Sequence, residues 1–235
     1  MIRLGITGTD TGVGKTLVAT VLLRLMRARG LRVAAMKPVE TGVSPGDPRG
    51  DAHRLREAAG GEDPLEVVRP LLLKEPLAPW VASARGGTRV DLDALDSAFR
   101  RLSDGRDAIV VEGAGGLLVP LTRDMAYDGL FVQWDLDLVV VAGNRLGAIN
   151  HTLLTVRAAP DAGLRVRGVV LNTLDPEPPG IAESTNLETL AELLAPVPVL
   201  PFPWLRKPGD EKYVLEIAEE SGFDTLISLR VPPGS

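Results

Sequence analysis

A chain of 235 residues with 45% hydrophobic content is long enough for one large domain or two small ones and can fill a sizeable core. Its net charge of −5 argues against a general nucleic-acid binder, and the absence of cysteine excludes a disulfide scaffold and a thiolate metal site. No apolar run reaches membrane-spanning length, and Met1-Ile2-Arg3 leads straight into a strand pattern. No membrane span and no secretory leader are therefore expected, and a reducing cytoplasm is the expected location.

The first predicted element is a strand over Leu4–Thr7. The loop Gly8-Thr9-Asp10-Thr11-Gly12-Val13-Gly14-Lys15-Thr16 follows, and a helix is predicted over Lys15–Arg29, with Gly30 as its stop. Strand, glycine loop and helix in this order can wrap a phosphate chain with backbone N–H groups and set it at the positive end of the helix. Lys15 can reach the β- and γ-phosphates, and the Thr16 hydroxyl suits Mg²⁺. The usual spacing places a glycine six residues before the lysine. Here Thr9 holds that position and the glycine is Gly8.

The second strand, Arg32–Lys37, runs into Pro38-Val39-Glu40-Thr41-Gly42. Pro38 biases Lys37 toward an extended conformation at the strand end. The chain has only five lysines (Lys15, Lys37, Lys74, Lys207 and Lys212) and uses arginine elsewhere. A lysine at a strand end therefore suggests a need for a compact ammonium charge, beside phosphates or on an anionic substrate. Thr41 would line the same floor or serve as a turn hydroxyl. A helix over Asp51–Ala59 follows, and Asp51 reads equally as its N-cap or as a hard ligand for Mg²⁺. Asp47, in the same loop, is the other candidate ligand. After a helix over Leu92–Ser103, the strand Ala108–Glu112 closes on an acid followed by Gly113-Ala114-Gly115-Gly116. An acid ending an apolar parallel strand suits a metal or water ligand, since a buried carboxylate without a cation is costly.

The strand Leu138–Ala142 leads through Gly143-Asn144-Arg145-Leu146-Gly147 to a helix over Ala148–Ala159, with Gly163 as its stop. That helix start can bind a carboxylate, or it is a routine connection. Asn172-Thr173 follows the strand Val166–Leu171, and its amide could pair with an adenine edge or serve a turn. The Pro-rich segment 175–180 reads as a loop, before a helix over Ser184–Leu194 and a strand over Val197–Leu200. Short Val/Ile/Leu strands alternating with helices predict an α/β fold: one domain over residues 1–235, a mostly parallel sheet, and helices on both faces. Ligands then bind beyond the carboxyl ends of the strands.

Taken together these motifs resemble dethiobiotin synthetase. The carrying residues are the 8–16 loop, Lys37-Pro38-Val39 with Thr41-Gly42, Asp51-Ala52, Val111-Glu112-Gly113-Ala114-Gly115-Gly116, Leu146-Gly147 with Ile149-Asn150-His151, Asn172, and Pro203-Trp204-Leu205. The resemblance spans residues 8–205. The loop alone is shared with many ATPases, whereas its Thr-Asp-Thr form, Lys37-Pro38 and Asn150-His151 together are far more specific. It implies a single-domain P-loop NTPase-like fold and a homodimer with a shared active site. The implied enzyme is a carbon–nitrogen cyclo-ligase that converts 7,8-diaminopelargonate, CO₂ and MgATP into dethiobiotin, ADP and phosphate in biotin synthesis. By the same resemblance Lys15, Lys37 and Thr11 are catalytic, and Gly12, Val13, Gly14, Lys15, Thr16 and Leu17 wrap the phosphates. Thr16, Asp51 and Glu112 hold Mg²⁺, and Gly113, Ala114 and Gly115 line the nucleotide. Asn172, Thr173, Pro203, Trp204 and Leu205 frame adenine. Thr11, Lys37 and Thr41 face the carbamate and amines, while Leu146, Gly147 and Asn150 of the other subunit hold the distal carboxylate.

The chain departs from the family at Gly12, where a larger, often acidic residue is common, at Thr41, where Ser is frequent, and at Asn186, where a tyrosine can stand. Beyond Pro208 no family motif is evident. Three rival readings are weaker. A MinD-like regulatory ATPase carries an extra lysine near position 10, which is Asp10 here, and its membrane-targeting members end in a basic amphipathic helix, whereas 210–220 is acidic. A nucleotide sensor without catalysis does not need Lys15, Thr16, Lys37, Asp51 and Glu112 together. A cobyrinate-type amidotransferase would need a cysteine-bearing glutaminase part that this length does not hold.

Overall fold

A computed structural model describes residues 1–228. The N-terminal half runs β1 (Ile2–Gly8), α1 (Lys15–Ala28), β2 (Val33–Met36), β3 (Val39–Thr41), α2 (Asp51–Ala58), α3 (Leu65–Val68), β4 (Leu71–Leu73), α4 (Pro79–Gly86) and α5 (Leu92–Ser103). The rest runs β5 (Ala108–Gly116), α6 (Tyr127–Gln133), β6 (Asp137–Gly143), α7 (Ala148–Asp161), β7 (Val166–Asn172), α8 (Ile181–Leu194), β8 (Val199–Phe202), α9 (Glu211–Glu220) and α10 (Asp224–Ile227).

Six strands form one parallel sheet in the order β2-β5-β1-β6-β7-β8. Alternate side chains of each strand point to opposite faces, so each strand feeds two cores. On one face Ile2, Leu4, Ile6, Val139 and Val141 pack with α1, Leu55 of α2, α9 and α10. On the other, Leu138, Val140, Ile109 and Val111 pack with α5, α6, α7 and α8. Among the described residues this is the expected α/β architecture with helices on both faces. The order reverses at β1: β5 lies on one side and β6 on the other. That switch point opens a crevice at the carboxyl end of β1, where the glycine loop begins.

Several boundaries move for local reasons. β8 starts at Val199 rather than Val197, because Val197 N–H closes a turn onto Leu194 O and Pro196 and Pro198 have no N–H for a ladder. The last strand therefore reaches Phe202, whose carbonyl accepts from Thr173 N–H at 2.8 Å. α8 starts at Ile181, three residues before the expected Ser184, with Gly180 as its N-cap. Beyond Pro208, α9 is capped by Asp210, which accepts from Tyr213 N–H, and it buries Val214 and Ala218. The three-residue strands β3 and β4 pair in parallel as a separate small sheet, of which β3 lines the crevice with Glu40 and Thr41.

Candidate active site

The loop after β1 wraps tightly. Gly12 and Gly14 sit at φ 76° and 96°, a left-handed region that other residues enter only under strain. At Gly14 space is also closed: a Cβ there would stand 2.2 Å from Asn172 Nδ2. Asn172 is buried at the end of β7 and donates to Val13 O at 2.9 Å, so it braces the loop from below. Its Oδ1 is buried without a hydrogen-bond partner. Lys15 opens α1 and donates to Asp10 O at 3.0 Å. Burial lowers the Lys15 pKa, and the neighbouring Lys37 ammonium pushes it the same way.

Beside Lys15 lies a cluster of buried and half-buried charge. Lys37, one residue beyond β2, is buried and donates to Glu112 Oε1 at 2.6 Å, Asp51 Oδ2 at 2.9 Å and Gly113 O at 3.2 Å. Thr16 Oγ1 lies 2.8 Å from Asp51 Oδ1 and 2.9 Å from Glu112 Oε1. A hydroxyl has one proton, so it donates to only one of these at a time and the other contact is oxygen against oxygen. Glu112 is fully buried and its Oε2 has no hydrogen-bond partner. Two carboxylates and a hydroxyl thus present surplus lone pairs to a single point, a donor set that fits a hard divalent cation. Among the described residues no group of three or more His, Asp or Glu side chains has this potential, so the candidate set rests on Thr16 as its third ligand.

Electrostatics set the protonation of the cluster. Burial alone would lower the Lys37 pKa, but Glu112 and Asp51 outweigh it and hold Lys37 as an ammonium. Burial raises Asp51, yet Lys37 more than reverses that and leaves its pKa below the ordinary value. Burial drives Glu112 upward, opposed in part by Lys37. Tyr127, buried under Gly113, is pushed up to about 12 by burial and stays protonated.

These groups border a cavity of about 570 Å³. Thr11, Gly12, Gly14, Lys15, Thr16 and Leu17 form its floor, with Lys37, Thr41, Asp51, Glu112, Ala114 and Gly115 around them. Asp51 is the first residue of α2, with Gly50 as the N-cap. Of the two candidate ligands in this region Asp51 meets Thr16, whereas Asp47 is engaged by Arg49 in an exposed loop and held down to about 2. A Cβ at Gly12 would meet nothing within 4 Å, so the departure there leaves open space and not a packing defect.

The other sequence candidates lie outside this cavity. Val13 is buried beneath the loop, and Gly113 carries the carbonyl that accepts from Lys37. Leu205 lines a smaller recess of about 280 Å³ that shares Leu17 and Arg54 with the cavity, while Pro203 and Trp204 are exposed beside it. Leu146, Gly147 and Asn150 sit exposed at the start of α7 and border no part of this cavity. Asn186 is buried and donates to Asn144 Oδ1 at 2.9 Å and Arg145 O at 3.1 Å, so here it braces that loop. Arg145 in turn pairs with Asp10 at 2.7 Å. Sequence reasoning missed the cavity wall Pro76–Pro79 and the buried pair Glu40–Arg69.

Comparison with known proteins fits this geometry to a lineage. A family model described as an AAA domain matches residues 3–206. A protein of Anaeromyxobacter dehalogenans strain 2CP-C, named ATP-dependent dethiobiotin synthetase BioD, is 46% identical over 205 residues, covering 87% of this chain and 91% of that one. The chain belongs to the dethiobiotin synthetase family. A member from Thermodesulfovibrio yellowstonii with the same name is 37% identical over 235 residues, covering 95% and 98%. Solved structures show the fold more broadly. The cell-division ATPase MinD of Pyrococcus furiosus superposes with a TM-score of 0.54 at 19% identity, covering 96% of this chain and all of that one. A ParA family ATPase from Chlorobium tepidum gives 0.54 at 14%, covering 97% and 100%. At such identities the likeness is one of fold, the P-loop α/β architecture that family membership also implies.

Proposed function

We propose that this chain is an ATP-dependent dethiobiotin synthetase that carboxylates 7,8-diaminopelargonate and closes the cyclic urea with Mg²⁺ as its metal. The observation that carries the reading is the meeting of Lys15, Lys37, Thr16, Asp51 and Glu112 at one cavity under the glycine loop. A pure nucleotide sensor has no use for a second buried ammonium there. The naming of the relatives supports the substrate.

In the reaction one amine of the substrate attacks CO₂, forming the N–C bond of a carbamate and losing a proton. A carbamate oxygen then attacks the γ-phosphorus of ATP, and the bond to the β,γ-bridging oxygen breaks to release ADP. The second amine attacks the carbonyl carbon of the mixed anhydride and loses a proton, and phosphate leaves with the electrons of its C–O bond as the second N–C bond closes the ring. The backbone N–H groups of Gly12–Thr16 hold the triphosphate at the start of α1. Lys15 and Lys37 stand where negative charge moves from carbamate to phosphate, so their stabilisation grows along the reaction. Thr11 and Thr41 orient the carbamate and amines. Asn172, Thr173 and Pro203–Leu205 frame the base, Asn172 by bracing the loop beneath it.

Thr16, Asp51 and Glu112 would hold Mg²⁺, and the orphaned Glu112 Oε2 supports that assignment. When bound, the metal supplies charge neutralisation to the β- and γ-phosphates. A homodimer is part of the proposal. The exposed Leu146 and Leu154 on and beside α7, 85% and 60% accessible, support burial against a second subunit. That arrangement would bring Gly147 and Asn150 to the partner's cavity, where the helix start receives the substrate's distal carboxylate. We also place the enzyme in the cytoplasm. No helix among the described residues is long and apolar enough to cross a membrane.

The test is to incubate the protein with diaminopelargonate, bicarbonate and MgATP and to quantify dethiobiotin and ADP. Equimolar products are expected. ADP without dethiobiotin would mark a plain ATPase, and tight nucleotide binding without turnover would mark a sensor.

A further inference from the structure

The cavity wall holds a buried ion pair that no step of the ring closure uses. Glu40, in the middle of β3, is 2% exposed and accepts from Arg69 Nη1 at 2.7 Å. Its other oxygen, Oε1, accepts from Ala52 N–H at 3.2 Å. Both oxygens are therefore engaged with protein. Although it borders the cavity, Glu40 is a supporting group and not a ligand for substrate.

What it supports is the start of α2. A helix leaves its first N–H groups without intrahelical partners, and the N-cap residue usually supplies an acceptor. Here the N-cap is Gly50, which has no side chain to offer. Glu40 supplies the acceptor from a different strand. Gly50 leaves room for it: a Cβ at Gly50 would lie 3.1 Å from Glu40 Oε1. The capped residue, Ala52, directly follows Asp51, whose carboxylate meets Thr16 and Lys37. Arg69, just beyond α3, holds the far oxygen of Glu40, so the carboxylate is fixed at both ends. A buried ion pair is a poor source of stability compared with apolar residues of the same volume, so stability alone does not account for one at this place.

We infer that Glu40 is a positioning residue for the metal site: anchored by Arg69, it caps α2 from outside and thereby sets the Asp51 carboxylate beside Thr16 and Glu112. This rests on the proposed role of Asp51 as a metal ligand. Outer partners that orient ligands typically change metal affinity by about 10–100-fold.

The test compares two double variants that both remove the buried charges. Glu40→Gln with Arg69→Met keeps an oxygen for Ala52 N–H, while Glu40→Leu with Arg69→Met removes it. Neither leaves an unpaired charge, so both are expected to fold. Mn²⁺ affinity is read by electron paramagnetic resonance with ADP present, and amide exchange is read over 52–54. The Leu variant is expected to bind Mn²⁺ about tenfold more weakly than the Gln variant, with faster exchange at Ala52. In turnover its KM for Mg²⁺ is expected to rise while its KM for the diamine holds. Equal Mn²⁺ affinity in the two variants would overturn the role of Glu40 while leaving the metal site intact. Failure of the unmodified enzyme to bind Mn²⁺ would overturn the metal site itself, and this inference with it.

Discussion

In the proposed reaction Lys37 is the residue on which the chemistry turns, and three oxygens already hold its ammonium in place. Lys37→Ala is predicted to slow dethiobiotin formation by about 10²–10³-fold, the usual scale for one preorganised charge, while ATP affinity falls by less than about tenfold. Steady-state kinetics beside equilibrium nucleotide binding check this, and equal losses in both would refute it. Gly14 tests the loop. Gly14→Ala puts a methyl 2.2 Å from Asn172 Nδ2 at a φ of 96°, so nucleotide binding should be lost. Adding Asn172→Ala should relieve the clash but not the backbone strain, restoring binding only in part by calorimetry. Lys37 and Thr16 were legible in the sequence because one follows a strand end and the other stands at a helix start. Glu112 was expected to close its strand, but β5 runs on to Gly116, because the glycines after it keep pairing with β1 past an irregularity at Gly8↔Gly116. Glu40 was not legible. Its partners lie 12 and 29 residues on, and no spacing rule joins a strand carboxylate to a distant helix start.

At the scale of elements, the sheet presents all of its strand ends to the cavity side, and β2 and β5 are stapled at their opposite ends. Arg32 donates twice to Asp107, at 3.0 Å from both Nε and Nη2, and its N–H adds a third bond at 2.9 Å. These bonds hold the Asp107 pKa down to about 2. A carboxyl depressed on folding contributes stability above its ordinary pKa near 4, and that contribution fades as pH falls toward 2. Asp107→Asn should therefore flatten the acid limb of a denaturation profile between about pH 4 and 2 and leave its slope near neutrality unchanged. Thermal melts across that range read the difference. The long Val/Ile strands were legible because both faces are buried. β3 and β4 were not, since three residues show no periodicity and their pairing is set by the crevice wall. The helices at 211–220 and 224–227 carried no motif, and their role is to close the core over α1.

For the whole molecule, the question is whether one protomer holds a complete site. The cavity contains the phosphate and metal candidates but not Leu146, Gly147 or Asn150. The helix start at 147–150 read as a carboxylate site or a routine connection, and only the family resemblance gave it to a second subunit's cavity, which sequence periodicity does not encode. Mixing Lys37→Ala protomers with Asn150→Ala protomers, each inactive alone, should restore about a quarter of full activity. Half of a random mixture is heterodimer, and each heterodimer has one site free of both lesions. No recovery after verified subunit exchange would show that each protomer works alone. The most direct measurement is a crystal structure with Mg²⁺, a non-hydrolysable ATP analogue and the diamine. The account predicts the γ-phosphate between Lys15 and Lys37, the metal on Thr16, Asp51 and Glu112, and a substrate amine beside Thr11 and Thr41. A terminal phosphate bound away from Lys37, or a metal that leaves Glu112 untouched, would contradict it.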